Sequence, residues 1–190
     1  MTSINTITHS VRVLLNTTVK NIGLLVWPDE KGLKETDVNL FFELKRPGAP
    51  DTIKVFFGTE ADGESPSIDY EDDYRGIGPA QPFSTFPDRL VKWINDDYSN
   101  PDGSFSPELF ILSPGSDHEL AKFCNLELTG ALIVCYREDA PNPTGLVFEF
   151  ENGKQIWSVP GICGNTVKTH ISDDYSWGNP NFLERIEKGE

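Results

Sequence analysis

The chain is poor in the residues that announce chemistry. It has three cysteines, three histidines and one methionine among 190 residues. Cys124, Cys135 and Cys163 form no CxxC pair, so neither a zinc knuckle nor a thioredoxin-like site is signalled. Such a sparse, odd count fits reduced thiols better than a disulfide framework. His9, His118 and His170 are scattered with no HExxH or His-x-His pair, which leaves zinc hydrolysis without a motif. Gly76-Ile77-Gly78-Pro79 begins like a dinucleotide fingerprint but lacks the third glycine and a preceding strand. No P-loop and no nucleophile-elbow serine is present. Apolar runs are too short to span a bilayer, and Met1 to Thr6 lacks the basic start and apolar stretch of a signal peptide. These absences predict a soluble cytoplasmic protein with no cofactor and no metal.

Positive charge is scarce as well. Sixteen Lys and Arg stand against 30 Asp and Glu, a formal net charge of −14. Lys45-Arg46 is the one adjacent basic pair. A surface of this sign repels phosphate backbones and anionic lipid, so direct nucleic-acid and membrane binding are disfavoured. A basic protein partner, a cation or simple solubility remain.

Bulky core material is plentiful: 12 Phe, 4 Trp and 5 Tyr. Alternation dominates its placement. Val11, Val13 and Leu15 share one face of an expected strand over 10–15, and Ile22 to Trp27 is an apolar run closed by Pro28. Val38, Leu40, Phe42 and Leu44 alternate, and the turn at Pro47 to Asp51 returns into Ile53, Val55 and Phe57. In the second half, strands are expected over 131–136, 146–150 and 156–159, with one more over 166–171. Asn152-Gly153 sits where a tight hairpin wants two positive φ angles. Three short helices are expected. Ser116 to Glu119 has capping-box spacing, Thr85 to Asp88 opens a segment carrying Leu90, Val91 and Ile94, and Asn179-Pro180 precedes Phe182, Leu183 and Ile186. The expected fold is a single α+β domain over 1–190. It is mainly antiparallel β, a sandwich or curved sheet, with two or three short helices at one side. No internal repeat shows at solenoid periods.

A long loop at about 59–86 carries no pattern of strand or helix. Loops of this length are uncommon and tend to be functional or disordered. Residues 59–75 hold Glu60, Asp62, Glu64, Asp69, Glu71, Asp72 and Asp73 against Arg75 alone. Asp-Asp-Tyr occurs three times, at 72–74, 96–98 and 173–175. Adjacent carboxylates repel each other and favour water, a cation or a basic partner, while tyrosine supplies contact area. The expected partner-binding residues are therefore Asp69, Tyr70, Glu71, Asp72, Asp73 and Tyr74, with Tyr175 and Trp177 as a second cluster.

Two other chemistries compete. Cys163 and His170, with Asp173 beyond, supply the residue types of a cysteine hydrolase. They stand seven residues apart, roughly 23 Å along an extended strand, so only a chain reversal brings them together. Asp96, Asp97 and Asp102 offer oxygen ligands to calcium, but the EF-hand register fails, since it places Tyr98 at the first ligand position. The sequence therefore points to a non-enzymatic interaction module of inhibitor, immunity or adaptor type that binds a basic protein partner through acidic-aromatic loops, with no catalytic residue assigned.

Overall fold

The computed structural model describes residues 3–27, 37–59, 65–70, 80–85, 108–136, 142–160, 165–170 and 180–187. One α-helix comes first, α1 (Ile4–Arg12). It is capped by Ser3, whose Oγ accepts from the Thr6 N–H at 3.2 Å. Ile7, Val11 and Leu14 recur at helical spacing and are fully buried, whereas Val13 is exposed. The strand expected over 10–15 is thus replaced by the end of a helix. A short stretch satisfies both periods, and the apolar residues upstream decide between them.

Eleven strands follow among the described residues: β1 (Thr18–Trp27), β2 (Asp37–Lys45), β3 (Thr52–Thr59), β4 (Pro66–Tyr70), β5 (Gln81–Pro82), β6 (Glu108–Leu112), β7 (Leu128–Cys135), β8 (Gly145–Phe150), β9 (Gln155–Pro160), β10 (Asn165–Lys168) and β11 (Asn181–Glu187). They form two sheets, ordered β4-β3-β2-β1-β6-β5 and β10-β9-β8-β7-β11. All pairings are antiparallel except β5 with β6. One core draws on both sheets, with Phe42, Phe57 and Phe148 at its centre. Phe148 meets Phe42 at 5.2 Å and Phe57 at 4.5 Å between ring centroids, both edge-on. Such pairs add about 0.5–1.5 kcal/mol each beyond burial. A buried amide ties the sheets as well: Asn165 Nδ2 donates to the Val38 carbonyl at 2.8 Å and to Ser158 Oγ at 3.0 Å.

The α+β expectation is corrected by this arrangement. The chain is mostly β, with α1 as the one α-helix among the described residues, beside 3₁₀ turns at Phe83–Thr85 and Glu119–Phe123. The segment after Ser116 makes only that second 3₁₀ turn. The helix expected after Asn179 is instead β11: Phe-Leu-Glu-Arg-Ile is helix-tolerant, but pairing with β7 and burial of Ile186 override propensity. The helix expected after Pro87 lies outside the described residues. The loop at about 59–86 is interrupted by β4, β5 and a 3₁₀ turn. At the Asn152-Gly153 turn only Gly153 has positive φ, at 74°. The hairpin therefore closes with a single left-handed glycine rather than two.

The two sheets follow one plan. In each, a four-stranded meander is followed by a return strand that pairs antiparallel on the free side of the meander's first strand, β6 on β1 and β11 on β7. The first strands meet at a bridge between Thr18 and Glu127 that lies on a pseudo-twofold axis. Around it the hydrogen bonds come in matched pairs. Asn16 N donates to Leu128 O at 2.8 Å and Asn125 N to Val19 O at 2.7 Å; Leu128 N donates to Thr17 O and Val19 N to Leu126 O, both at 2.9 Å. Asn16 and Asn125 are the two non-glycine residues with positive φ among the described residues, at 60° and 69°. Asparagine tolerates that conformation, and at both sites it turns the chain out of a helical turn and into a strand. Each first strand then carries a register shift at an equivalent position, between Val19 and Asn21 and between Leu128 and Gly130. Leu40-Phe41-Phe42-Glu43-Leu44 on β2 matches Leu146-Val147-Phe148-Glu149-Phe150 on β8 in sequence and in register.

Candidate functional site

The twofold axis relates two edges that differ in what lies on them. Near the first, the turn Glu119–Phe123 corresponds to the C-terminal part of α1: Leu120, Phe123 and Cys124 take the places of Val11, Leu14 and Leu15, and all six are buried. His118 takes the place of His9. The His118 side chain caps its turn by accepting the Leu120 N–H at Nδ1, 3.2 Å away. β5 runs parallel along β6, pairing Gln81 with Phe110 and Pro82 with Ile111. Gln81 Nε2 donates to Glu108 Oε2 at 2.8 Å. Phe83 follows directly, packing on the core and edge-on to the His118 ring at 4.7 Å. Burial holds the His118 pKa below its ordinary value, against the smaller opposing pull of Glu119. The imidazole is thus neutral near pH 7, as its acceptor role requires.

The second edge is β11. The register shift between Phe182 and Glu184 lets Leu183 and Ile186 face the core while Phe182 and Arg185 face outward. Phe182 is 59% exposed, whereas its counterpart on β6, Leu109, is 8% exposed. Beside Phe182 lies a shallow open groove of about 460 Å³, lined by Leu132, Glu149, Gln155 and residues 182–185. The Trp157 ring lies 6.5 Å from that of Phe182. Arg185 donates to Glu149 at 2.5 Å and to Glu187 at 2.6 Å. The Glu184 side chain has no hydrogen-bond or ion-pair partner among the described residues. His9 is exposed.

Of the expected partner-binding residues, Asp69 and Tyr70 are described. Both lie on β4, the outermost strand of its sheet. Asp69 pairs with Phe56 and is half-buried; Tyr70 pairs with Val55 and rests against the core. Glu71, Asp72, Asp73, Tyr74, Tyr175 and Trp177 lie outside the described residues, as do Cys163, Asp96, Asp97 and Asp102. His170 is exposed just beyond β10. Cys124 and Cys135 are buried, and burial pushes the Cys124 thiol up. Among the described residues no group of three His, Cys, Asp or Glu side chains is placed to hold a metal ion, and no helix is long and apolar enough to cross a membrane.

The edge at β11 escaped the sequence analysis because its residues read as a helix. A partial signal was present: Leu-x-Phe-Glu-[Leu/Phe] occurs at 40–44 and again at 146–150 and marks the second strand of each meander, but the return strands follow it at different distances along the chain, so the motif does not point to β11. Comparison with known proteins finds no matching family model, no matching curated protein and no matching solved structure.

Proposed function

We propose that the protein is a non-enzymatic interaction module that binds a basic partner protein, in the manner of an inhibitor, an immunity protein or an adaptor. The observation that carries this reading is the concentration of charge. Seven acids and one base fall within residues 59–75 of a chain whose net charge is −14. The strand β4 runs through that span and brings Asp69 to the margin of a sheet. Carboxylates gathered on one surface steer a cationic partner and raise its association rate more than they raise final affinity.

The test is binding at low and high salt. A partner captured from the native host at low salt should be released as the ionic strength rises, since screening removes long-range attraction. Its affinity should fall when Asp72→Asn and Asp73→Asn are combined. An affinity that ignores both salt and these substitutions refutes the reading.

A further inference from the structure

Among the described residues, one half of this molecule covers an edge that has no such cover in the other half. On β6 the outer edge is occupied by β5, and Phe83 is seated beside His118. The twofold-related edge is β11, with His9 in the place of His118. Among the described residues no strand pairs with the outer edge of β11. Its Phe182 stands 59% exposed where Leu109 is covered. The groove next to it is lined on one side by residues 182–185, so the same strand presents both the backbone edge and one wall of the groove.

We propose that β11 and its groove are the docking site for an extended, basic segment of a partner protein. The segment lies along β11 as β5 lies along β6, with an aromatic side chain beside His9 in the position of Phe83. Strand addition supplies main-chain hydrogen bonds, and alternate side chains supply selectivity. The charge of the site chooses the occupant. Glu149, Glu184 and Glu187 surround the groove and the strand, and Arg185 is already engaged by two of them. Glu184 is left to meet a lysine or arginine. A second copy of this chain is a poor occupant, because two bodies of charge −14 repel. The irregularity at Leu183 and the charged residues that follow are devices that discourage indiscriminate edge pairing. They leave a cationic strand as the favoured guest. This inference rests on the basic-partner reading above and names a different surface for it.

The chain carries its own model ligand. A synthetic peptide with the sequence of residues 80–85 (Ala-Gln-Pro-Phe-Ser-Thr), flanked by lysines, is titrated into the isotope-labelled full chain. Amide resonances of Phe182 to Glu187 and of His9 should shift, and hydrogen exchange along β11 should slow. Replacing the peptide's Phe by Ser, or methylating its backbone nitrogens, should abolish the response. Glu184→Gln and Glu187→Gln, both surface changes, should each weaken binding about two- to fivefold at low salt. Protection, without peptide, of the β11 amides that point away from β7 would overturn the site, showing that the chain covers this edge itself. Salt-sensitive binding that depends on Asp72 and Asp73 and leaves β11 unmoved would overturn the β11 site alone. Equal response to a peptide flanked by glutamates would overturn the basic chemistry, and with it the reading on which the site rests.

Discussion

Gly58 offers a quantitative test of how the first sheet is packed. The Asn39 side chain, 4% exposed, lies directly over it, and a Cβ built on Gly58 would overlap the Asn39 amide. The related position in the second sheet solves the same crowding the other way round. There Gly145 is the small partner, and a Cβ on it would stand 2.9 Å from Val159 Cγ1. One of two facing positions must be small; which strand carries the glycine is free. Gly58→Ala should therefore cost about 1–3 kcal/mol through overpacking, because a buried short amide cannot swing away. With an m-value of about 2 kcal/mol/M, the urea midpoint falls by about 0.5–1.5 M. In an Asn39→Ala background the overlap is gone. Gly58→Ala should then be neutral or stabilising by about 0.5–1 kcal/mol, since glycine in a strand carries an entropic penalty. The coupling between the two sites is thus about 1–4 kcal/mol. Urea unfolding of the four proteins, followed by tryptophan fluorescence, gives the cycle. An equal loss from Gly58→Ala in both backgrounds refutes the packing argument.

Two further outcomes follow from titratable groups. His118 is held neutral by burial, so its folded-state pKa lies below its ordinary value of 6.5. As the pH falls from there, the unfolded chain takes up the proton more readily. Stability should decline through that window and level off below the folded-state pKa. Urea midpoints measured across it should show this slope and lose most of it in His118→Asn, which caps without titrating; an undiminished slope refutes the assignment. Cys124 and Cys135 are buried, with the Cys124 thiol pushed up. At neutral pH iodoacetamide should leave both unmodified in the native protein and label both in urea, as read by mass spectrometry. Native labelling of Cys124 at the unfolded rate counts against its burial.

Legibility in the sequence tracked how much each pattern was decided locally. Leu40, Phe42 and Leu44 alternate and lie in β2, and Leu146, Phe148 and Phe150 do so in β8, because one face of each strand is core. β4 was invisible for the opposite reason. Pro-Ser-Ile-Asp-Tyr is a short margin strand with two half-buried apolar side chains, and its acids belong to a run that reads as loop. β11 went wrong because its fate is set by β7, whose open side needs a partner, and not by its own propensities. At 10–15, Val13 completes an alternation by chance and points to solvent.

The duplicated plan was harder to see than any single strand, and the reason bears on function. Twofold symmetry is preserved by positions that pack or turn: Asn16 with Asn125, Phe42 with Phe148, Val11 with Leu120. Elsewhere the halves are free to diverge, so few identical residues survive to betray the relation. Divergence at equivalent positions then becomes informative. Gly58 and Gly145 differ by an exchange of small and large partners that leaves both sheets filled. Leu109 is buried and Ile111 and His118 are half-buried, whereas their counterparts Phe182, Arg185 and His9 are exposed, and all three pairs lie along one related edge. An exchange that conserves packing needs no further cause. An edge that one half covers with β5 and Phe83, and the other leaves with an exposed phenylalanine among carboxylates, does need one. Function sits in sites laid on a fold and not in the fold itself, so that asymmetry is where a partner is to be sought.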